Sequence, residues 1–139
     1  MKISEVMTPD VSFVMPDTPI LEIARKMREA DIGSTPVLDN DRLVGMVTDR
    51  DIVVRVVAEG RPTQTACARD AMSPGIFFCY EDESIEDVLE KMGDEQIRRL
   101  PVVNRAKRLV GVVSLGDLSL TGRRKRAGEA LQEISQPSH

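Results

Sequence analysis

The 139-residue chain predicts a mixed α/β (α+β) fold: two β-α-β-β-α repeats packed about a pseudo-twofold axis, followed by a C-terminal helix. Three observations carry this reading. The sequence matches itself at a nearly constant offset, each copy holds one helical stripe of apolar residues, and short aliphatic runs bounded by turn residues flank those stripes. At an offset of 65 residues, Val6-Met7-Thr8-Pro9 falls on Ala71-Met72-Ser73-Pro74, and Pro36-Val37 falls on Pro101-Val102. One inserted residue moves the offset to 66, where Leu43–Thr48 falls on Leu109–Ser114 and Asp51 on Asp117.

Each copy opens with a Met-Thr/Ser-Pro turn that leads into a β-rich run, Val11–Met15 or Ile76–Tyr80. The helix that follows places Ile20, Ile23, Ala24 and Met27 on one face, and Ile85, Val88, Leu89 and Met92 in the second copy. Both sets follow the i, i+3, i+4, i+7 spacing of a buried stripe. Thr18 and Pro19 suit the N-cap and first helical position, and Ser84-Ile85-Glu86-Asp87 resembles a capping box. A strand around Pro36–Leu38 or Pro101–Val103, a polar turn and a second strand, Leu43–Val47 or Leu109–Val113, complete the pattern. A further helix opens directly after Thr48 or Ser114. Copies of about 60 residues bury too little apolar surface to stand alone. The expected organisation is therefore one module of residues 1–60 and 61–120, with a helical tail at 121–139. Glu59–Ala68 serves as the connector.

Composition excludes several kinds of chemistry. The only histidine is His139, so no histidine-based triad, general base or metal site is expected. Cys67 and Cys79 are too few for a tetrahedral zinc site and read as free thiols. The longest stretch without Asp, Glu, Lys or Arg is Ala71–Tyr80, ten residues against the roughly 20 that span a bilayer. With 19 basic and 23 acidic residues the net charge is −4, and aromatic residues make up 3%. That balance disfavours a nucleic-acid surface. The expectation is a soluble, cytoplasmic protein that is not an enzyme and binds neither nucleic acid nor membrane.

The duplicated order of Val6-Met7-Thr8-Pro9, Gly33-Ser34-Thr35-Pro36-Val37 and Leu43–Asp51 resembles a tandem CBS-domain pair, the Bateman module. The likeness covers residues 3–120 and is most similar to the small stand-alone bacterial CBS proteins. It implies regulatory binding of an adenosine-containing ligand in clefts between the repeats, and a homodimer with a downstream protein partner. AMP, ADP or ATP is the implied ligand, with NAD or S-adenosylmethionine as further members of the class and no catalytic cofactor.

The pattern Gly-x-Val-Thr/Ser-x-x-Asp, at Gly45–Asp51 and Gly111–Asp117, marks where a strand ends and a helix begins. The hydroxyl of Thr48 or Ser114 suits a phosphate or ribose oxygen. The carboxylate of Asp51 or Asp117 suits a ribose diol, and the helix N-terminus adds free N–H groups. The same spacing is also a capping box with Asp in place of Glu, which needs no ligand. An apolar slot for adenine is expected from Val11 and Phe13 with Thr35 and Pro36. Ile76 and Phe78 with Leu100 and Pro101 would form the other. Plain core packing accounts for the same residues.

Phosphate requires local positive charge in this acidic chain. Arg50 adjoins Asp51, and Arg98-Arg99 stand where the first copy has Gly33-Ser34. By family resemblance a basic residue there reaches the phosphate held by the other copy's Asp. This makes the Thr48/Asp51 site, with Arg50 and Arg99, the better equipped. The Ser114/Asp117 site has Leu115-Gly116 in place of Asp49-Arg50. The alternative for the arginines is solvation or pairing with Glu95. In the tail, Arg123–Arg126 precedes a helical stretch, Ala127–Ile134, read as a packing or dimer element. The alternative for the whole chain is a structural or protein-interaction module that binds no nucleotide.

Overall fold

The computed structural model describes residues 1–9, 11–73, 76–119 and 130–135. Arg123–Arg126 and the start of the expected tail helix lie outside them. After a 3₁₀ turn at Ile3–Glu5 come β1 (Thr8–Pro9), α1 (Ile20–Ala30), β2 (Ser34–Asp39) and β3 (Arg42–Thr48). α2 (Asp49–Ile52) runs into a π-helical turn, Val53–Val57. The second copy follows with α3 (Ala68–Ala71), β4 (Cys79–Tyr80), α4 (Ile85–Glu95), β5 (Arg99–Val103), β6 (Leu109–Ser114) and α5 (Leu115–Ser119). One sheet has the order β1-β6-β5-β4; in the other, β2 pairs with β3. Both hairpins slip register at the same place, between Val37 and Leu38 and between Val102 and Val103.

The chain forms two compact units, Ser12–Ile76 and Met1–Val11 with Phe77–His139. Each has its own aliphatic core. In Ser12–Ile76 the helix stripe buries Ile20, Ile23 and Met27 against Val37, Val47, Ile52 and Val56. In the other unit Ile85, Val88, Leu89 and Met92 pack with Leu100, Val102, Val113 and Leu118. The repeats and the units therefore divide the chain differently. Each unit is completed by the leader segment of the opposite copy.

The reason lies at the helix starts. The first N–H groups of a helix have no partner within it. Ile20 N–H donates to Ala66 C=O at 2.9 Å and Leu21 N–H to Thr63 C=O at 3.0 Å. Sixty-five residues later the arrangement recurs, with Ile85 N–H donating to Met1 C=O at 3.3 Å. Ile3 N–H in turn donates to Glu83 C=O at 3.0 Å. The expected connector is thus a built part of the first unit: Ala66 is buried, and Ala68 N–H reaches Thr18 C=O at 2.9 Å.

Two expectations are corrected. Pro19, not Thr18, occupies the N-cap of α1. The Thr18 hydroxyl instead accepts the Met15 N–H at 3.0 Å, closing the turn before the helix. Ser84 does cap α4, accepting the Asp87 N–H at 3.2 Å. The runs Val11–Met15 and Ile76–Tyr80 are strands only near their ends. Val14 bridges Val37, and Cys79–Tyr80 pairs in parallel with Val102–Val103. The rest of each run carries the chain from one unit to the other and has no ladder partner to extend it. In the tail, Ala130 is buried against α4, so the described part of this helix packs within its own chain.

Glycine is required where the leaders cross the sheets. A Cβ at Gly45 would lie 2.7 Å from Met72 Sδ. One at Gly111 would lie 2.7 Å from Met7 Sδ and 2.8 Å from the Thr8 carbonyl oxygen. A thioether end yields by rotating, whereas a backbone carbonyl in a β-ladder does not. Gly111→Ala is therefore expected to destabilise by about 1–3 kcal/mol, and Gly45→Ala by less, in chemical denaturation of both variants.

Both cysteines are free. Burial pushes the Cys79 thiol up to about 12 from an ordinary 9.0, with Glu83 adding to the effect. The folded state thus keeps a proton that the unfolded chain releases above pH 9. This contribution to stability is complete below pH 9 and is lost as pH rises toward 12. Iodoacetamide at pH 8 is expected to label half-exposed Cys67 and to reach Cys79 only after unfolding, as read by peptide mass mapping.

Candidate functional site

The strand-to-helix junction is built identically in the two copies. The Asp51 carboxylate accepts the Thr48 N–H at 2.9 Å while the Thr48 hydroxyl accepts the Asp51 N–H at 3.0 Å. At Ser114 and Asp117 both distances are 3.1 Å. The capping box is therefore present at both sites and the side chains are pinned at the junction. Neither carboxylate is fully buried, so lone pairs remain for a further donor.

The surroundings differ. Asp49 N–H donates to Gly33 C=O at 3.0 Å, and a Cβ on Gly33 would stand 3.3 Å from the Asp49 carboxylate. In the second copy Leu115 N–H donates to Arg98 C=O at 2.8 Å, and a buried leucine replaces the aspartate. The first copy thus has glycine beside a carboxylate where the second has arginine beside a leucine. Arg98 and Arg99 are exposed, with Arg99 paired to Ser114 across β5 and β6. Among the described residues no ion pair joins either arginine to Glu95. Arg50 is also exposed.

Unit Ser12–Ile76 contains an open cleft of about 280 Å³ walled by Ser12, Lys26, Glu29, Ala30, Ile32 and Thr35. Thr35 is 1% exposed, and its hydroxyl has no hydrogen-bond partner among the described residues. A buried, unpartnered hydroxyl costs about 1–3 kcal/mol and is rare in folded proteins. Lys26 reaches across to the Phe13 carbonyl at 3.3 Å. Its counterpart Lys91 donates to the Phe78 carbonyl at 2.9 Å and also pairs with Glu83 at 3.5 Å.

The expected site residues are thus distributed over both units. Thr35, Pro36, Thr48, Arg50, Asp51 and Ile76 lie in Ser12–Ile76; Val11, Arg99, Leu100, Pro101, Ser114 and Asp117 lie in the other. Thr35 and Pro36 sit on β2, where Ser34 pairs with Thr48. Pro36, Leu100 and Pro101 are buried, while Val11 and Ile76 are half-buried. Of the expected slot residues, Thr35 alone walls the cleft, and Thr48 and Asp51 do not line it.

The CBS domain family model matches residues 3–58 and again residues 68–120. The chain belongs to the CBS domain family. An uncharacterized Bacillus subtilis protein, YlbB, is 42% identical over 97% of this chain and 92% of its own length. Hypoxic response protein 1 of Mycobacterium tuberculosis is 38% identical over 83% of this chain and 80% of that protein. The structure of Hypoxic Response Protein I with two coordinated zinc ions superposes with a TM-score of 0.80 at 36% identity. It covers 87% of this chain and 98% of its own. The CBS domain pair of protein MJ0100, in complex with 5-methylthioadenosine and S-adenosyl-L-methionine, gives a TM-score of 0.76 at 25% identity over 90% and 98% of the two chains.

Of the residues that wall the cleft, the sequence offered Thr35 as an expected base contact and singled out none of the others. Lys26 and Lys91 are related by the 65-residue offset, a relation visible in the sequence only as a pair. Among the described residues no helix is long and apolar enough to cross a membrane, and no group of three His, Cys, Asp or Glu side chains is placed to hold a metal.

The unpartnered hydroxyl gives a direct test. Thr35→Val keeps the shape, suits a strand and removes a buried polar group. It is expected to raise stability by about 1 kcal/mol, measured by urea denaturation.

Proposed function

We propose that this CBS pair is a regulatory sensor of an adenosine-containing small molecule, with AMP, ADP or ATP as the first candidates. The observation that carries the reading is the duplicated junction, in which a hydroxyl and a carboxylate are fixed three residues apart where a strand meets a helix. Asp51 would accept the ribose hydroxyls, Thr48 would bond a ribose or phosphate oxygen, and exposed Arg50 supplies local positive charge. Thr35 and Pro36 are the expected contacts of the base. The adenosine compounds bound by the MJ0100 pair support the same ligand class. The signal would be a shift between two conformations that differ in ligand affinity, read by a protein partner. No catalytic step is assigned to any residue.

The reciprocal caps favour one competing reading, a module in which Thr48–Asp51 and Ser114–Asp117 serve the helices alone. A thermal-shift panel of AMP, ADP, ATP, NAD and S-adenosylmethionine separates the two. A compound at 100 times its Kd adds about 2.7 kcal/mol to stability. At least one is expected to raise the melting temperature, and Asp51→Ala is expected to weaken its binding more than Asp117→Ala. A melting temperature unmoved by any compound at millimolar concentration leaves the interaction-module reading in place.

A further inference from the structure

We propose that the surface made by Met15, Asp17 and the Asn40-Asp41 turn docks an arginine presented by a protein partner. The second copy displays, within its own unit, what such a surface holds. There Arg105 donates to both carboxylate oxygens of Asp82, from Nε at 3.1 Å and from Nη2 at 2.8 Å. Its guanidinium carbon lies 4.1 Å from the centroid of the Tyr80 ring. An acid thus holds the edge of the planar fork and an apolar face lies beneath it. Met15 and Asp17 stand 65 residues before Tyr80 and Asp82, and at the place of Arg105 the first copy has Asn40. The two hairpin turns differ in length. Asn40 and Asp41, with φ of 51° and 65°, make a two-residue turn between Asp39 and its ladder partner Arg42. In the second copy Asn104 N–H donates to Arg108 C=O at 3.0 Å around a three-residue turn, in which Lys107 takes the positive φ, 62°. The turn with the extra residue is the one that sets Arg105 over Tyr80.

The first copy therefore keeps the acid and the apolar face without the cation. Met15 is 56% exposed and Asp17 is exposed as well. Among the described residues no ion pair includes Asp17. Arg69, whose N–H donates to Pro16 C=O at 2.9 Å, directs its guanidinium to Cys67 Sγ at 3.7 Å instead. Asp39 and Asp41 outnumber Arg42 at the turn, so the charge complement of this surface is a cation. Arginine fits it better than lysine. A guanidinium pairs with a carboxylate through two parallel bonds and sheds its water readily over an apolar side chain, whereas an ammonium is a strongly hydrated point charge. The flexible thioether of Met15 adapts to such a planar group as a rigid ring does not. This surface does not depend on the nucleotide reading. Met15 follows Val14, which bridges Val37, and so lies toward the Asp39 end of β2. Thr48 pairs with Ser34 at the other end of that strand, about 16 Å away.

Titration of the full-length ¹⁵N-labelled chain with acetyl-Gly-Arg-Gly-amide, and with its lysine and citrulline counterparts, tests the proposal. The arginine peptide is expected to shift the Asp17 and Asn40 amides saturably and to bind roughly fivefold more tightly than the lysine peptide. The citrulline peptide is expected to leave those amides in place. Asp17→Asn is expected to remove the preference for arginine, and Asp87→Asn, at an exposed acid of the other unit, to preserve it. Arg105→Gln uncovers Tyr80 and Asp82 and is expected to create a second arginine site, seen as new saturable shifts at the Asp82 amide. Equal binding of the arginine and lysine peptides, a preference that survives Asp17→Asn, or no second site in Arg105→Gln overturns the proposal. Self-association in analytical ultracentrifugation that Asp17→Asn abolishes assigns the surface to a second copy of the chain and overturns it too.

Discussion

The structure depends on the unpartnered N–H groups at the first turns of α1 and α4. Neither helix can satisfy them from within, and water is excluded where Ile20 and Ile85 are fully buried. The chain resolves this by exchange: Ala66 and Thr63 bring carbonyls to α1, and Met1 brings one to α4. Once those leaders are committed, much else follows. Met72 lies over Gly45 and Met7 over Gly111, and at Gly111 the Thr8 carbonyl leaves no room for a side chain. β1 must pair with β6, a strand of the opposite copy. The repeat unit of the sequence and the compact unit of the fold then differ by one leader segment each.

The same geometry, written twice, leaves room for divergence at the functional positions. The caps at Thr48–Asp51 and Ser114–Asp117 are nearly superposable in their distances, yet their neighbourhoods carry different charges. Asp49 beside Gly33 in one copy becomes Leu115 beside Arg98 in the other. Lys91 pairs with Glu83, whereas none of the ion pairs among the described residues includes Lys26. Two copies of one CBS fold thus place different charges at equivalent backbone positions.

Much of this was legible in the sequence because it is written in local spacing. The stripes obey helical periodicity: Ile20, Ile23 and Met27 are buried with Ala24 half-buried, and Ile85, Val88, Leu89 and Met92 are all buried. The Thr-x-x-Asp and Ser-x-x-Asp caps need only three residues and a turn, and both are formed. Errors arose where a non-local partner decides the outcome. Val11–Met15 has strand composition, but only Val14 finds a neighbour, because the rest of the run links the two units. Thr18 has the chemistry of an N-cap, but an antiparallel bridge from Pro19 to Cys67 and the bond from Ala68 fix the helix start one residue later. Lys26 carried no individual signal, since a lysine on an exposed helix face is ordinary until its pairing is known.

The sequence by itself determined that the chain is duplicated, which residues face each core, where the strand-to-helix junctions fall and that both would be capped. These properties depend on neighbours within one turn or one hairpin, whose geometry the residue types dictate. Only the tertiary structure decided which leader completes which unit, why a side chain at Gly111 meets a backbone carbonyl, and which of two equivalent lysines pairs with an acid. Those outcomes depend on contacts between distant positions, such as Met7 and Thr8 against Gly111 or Ala66 against Ile20. A single chain records the identity of such residues but not the contact between them.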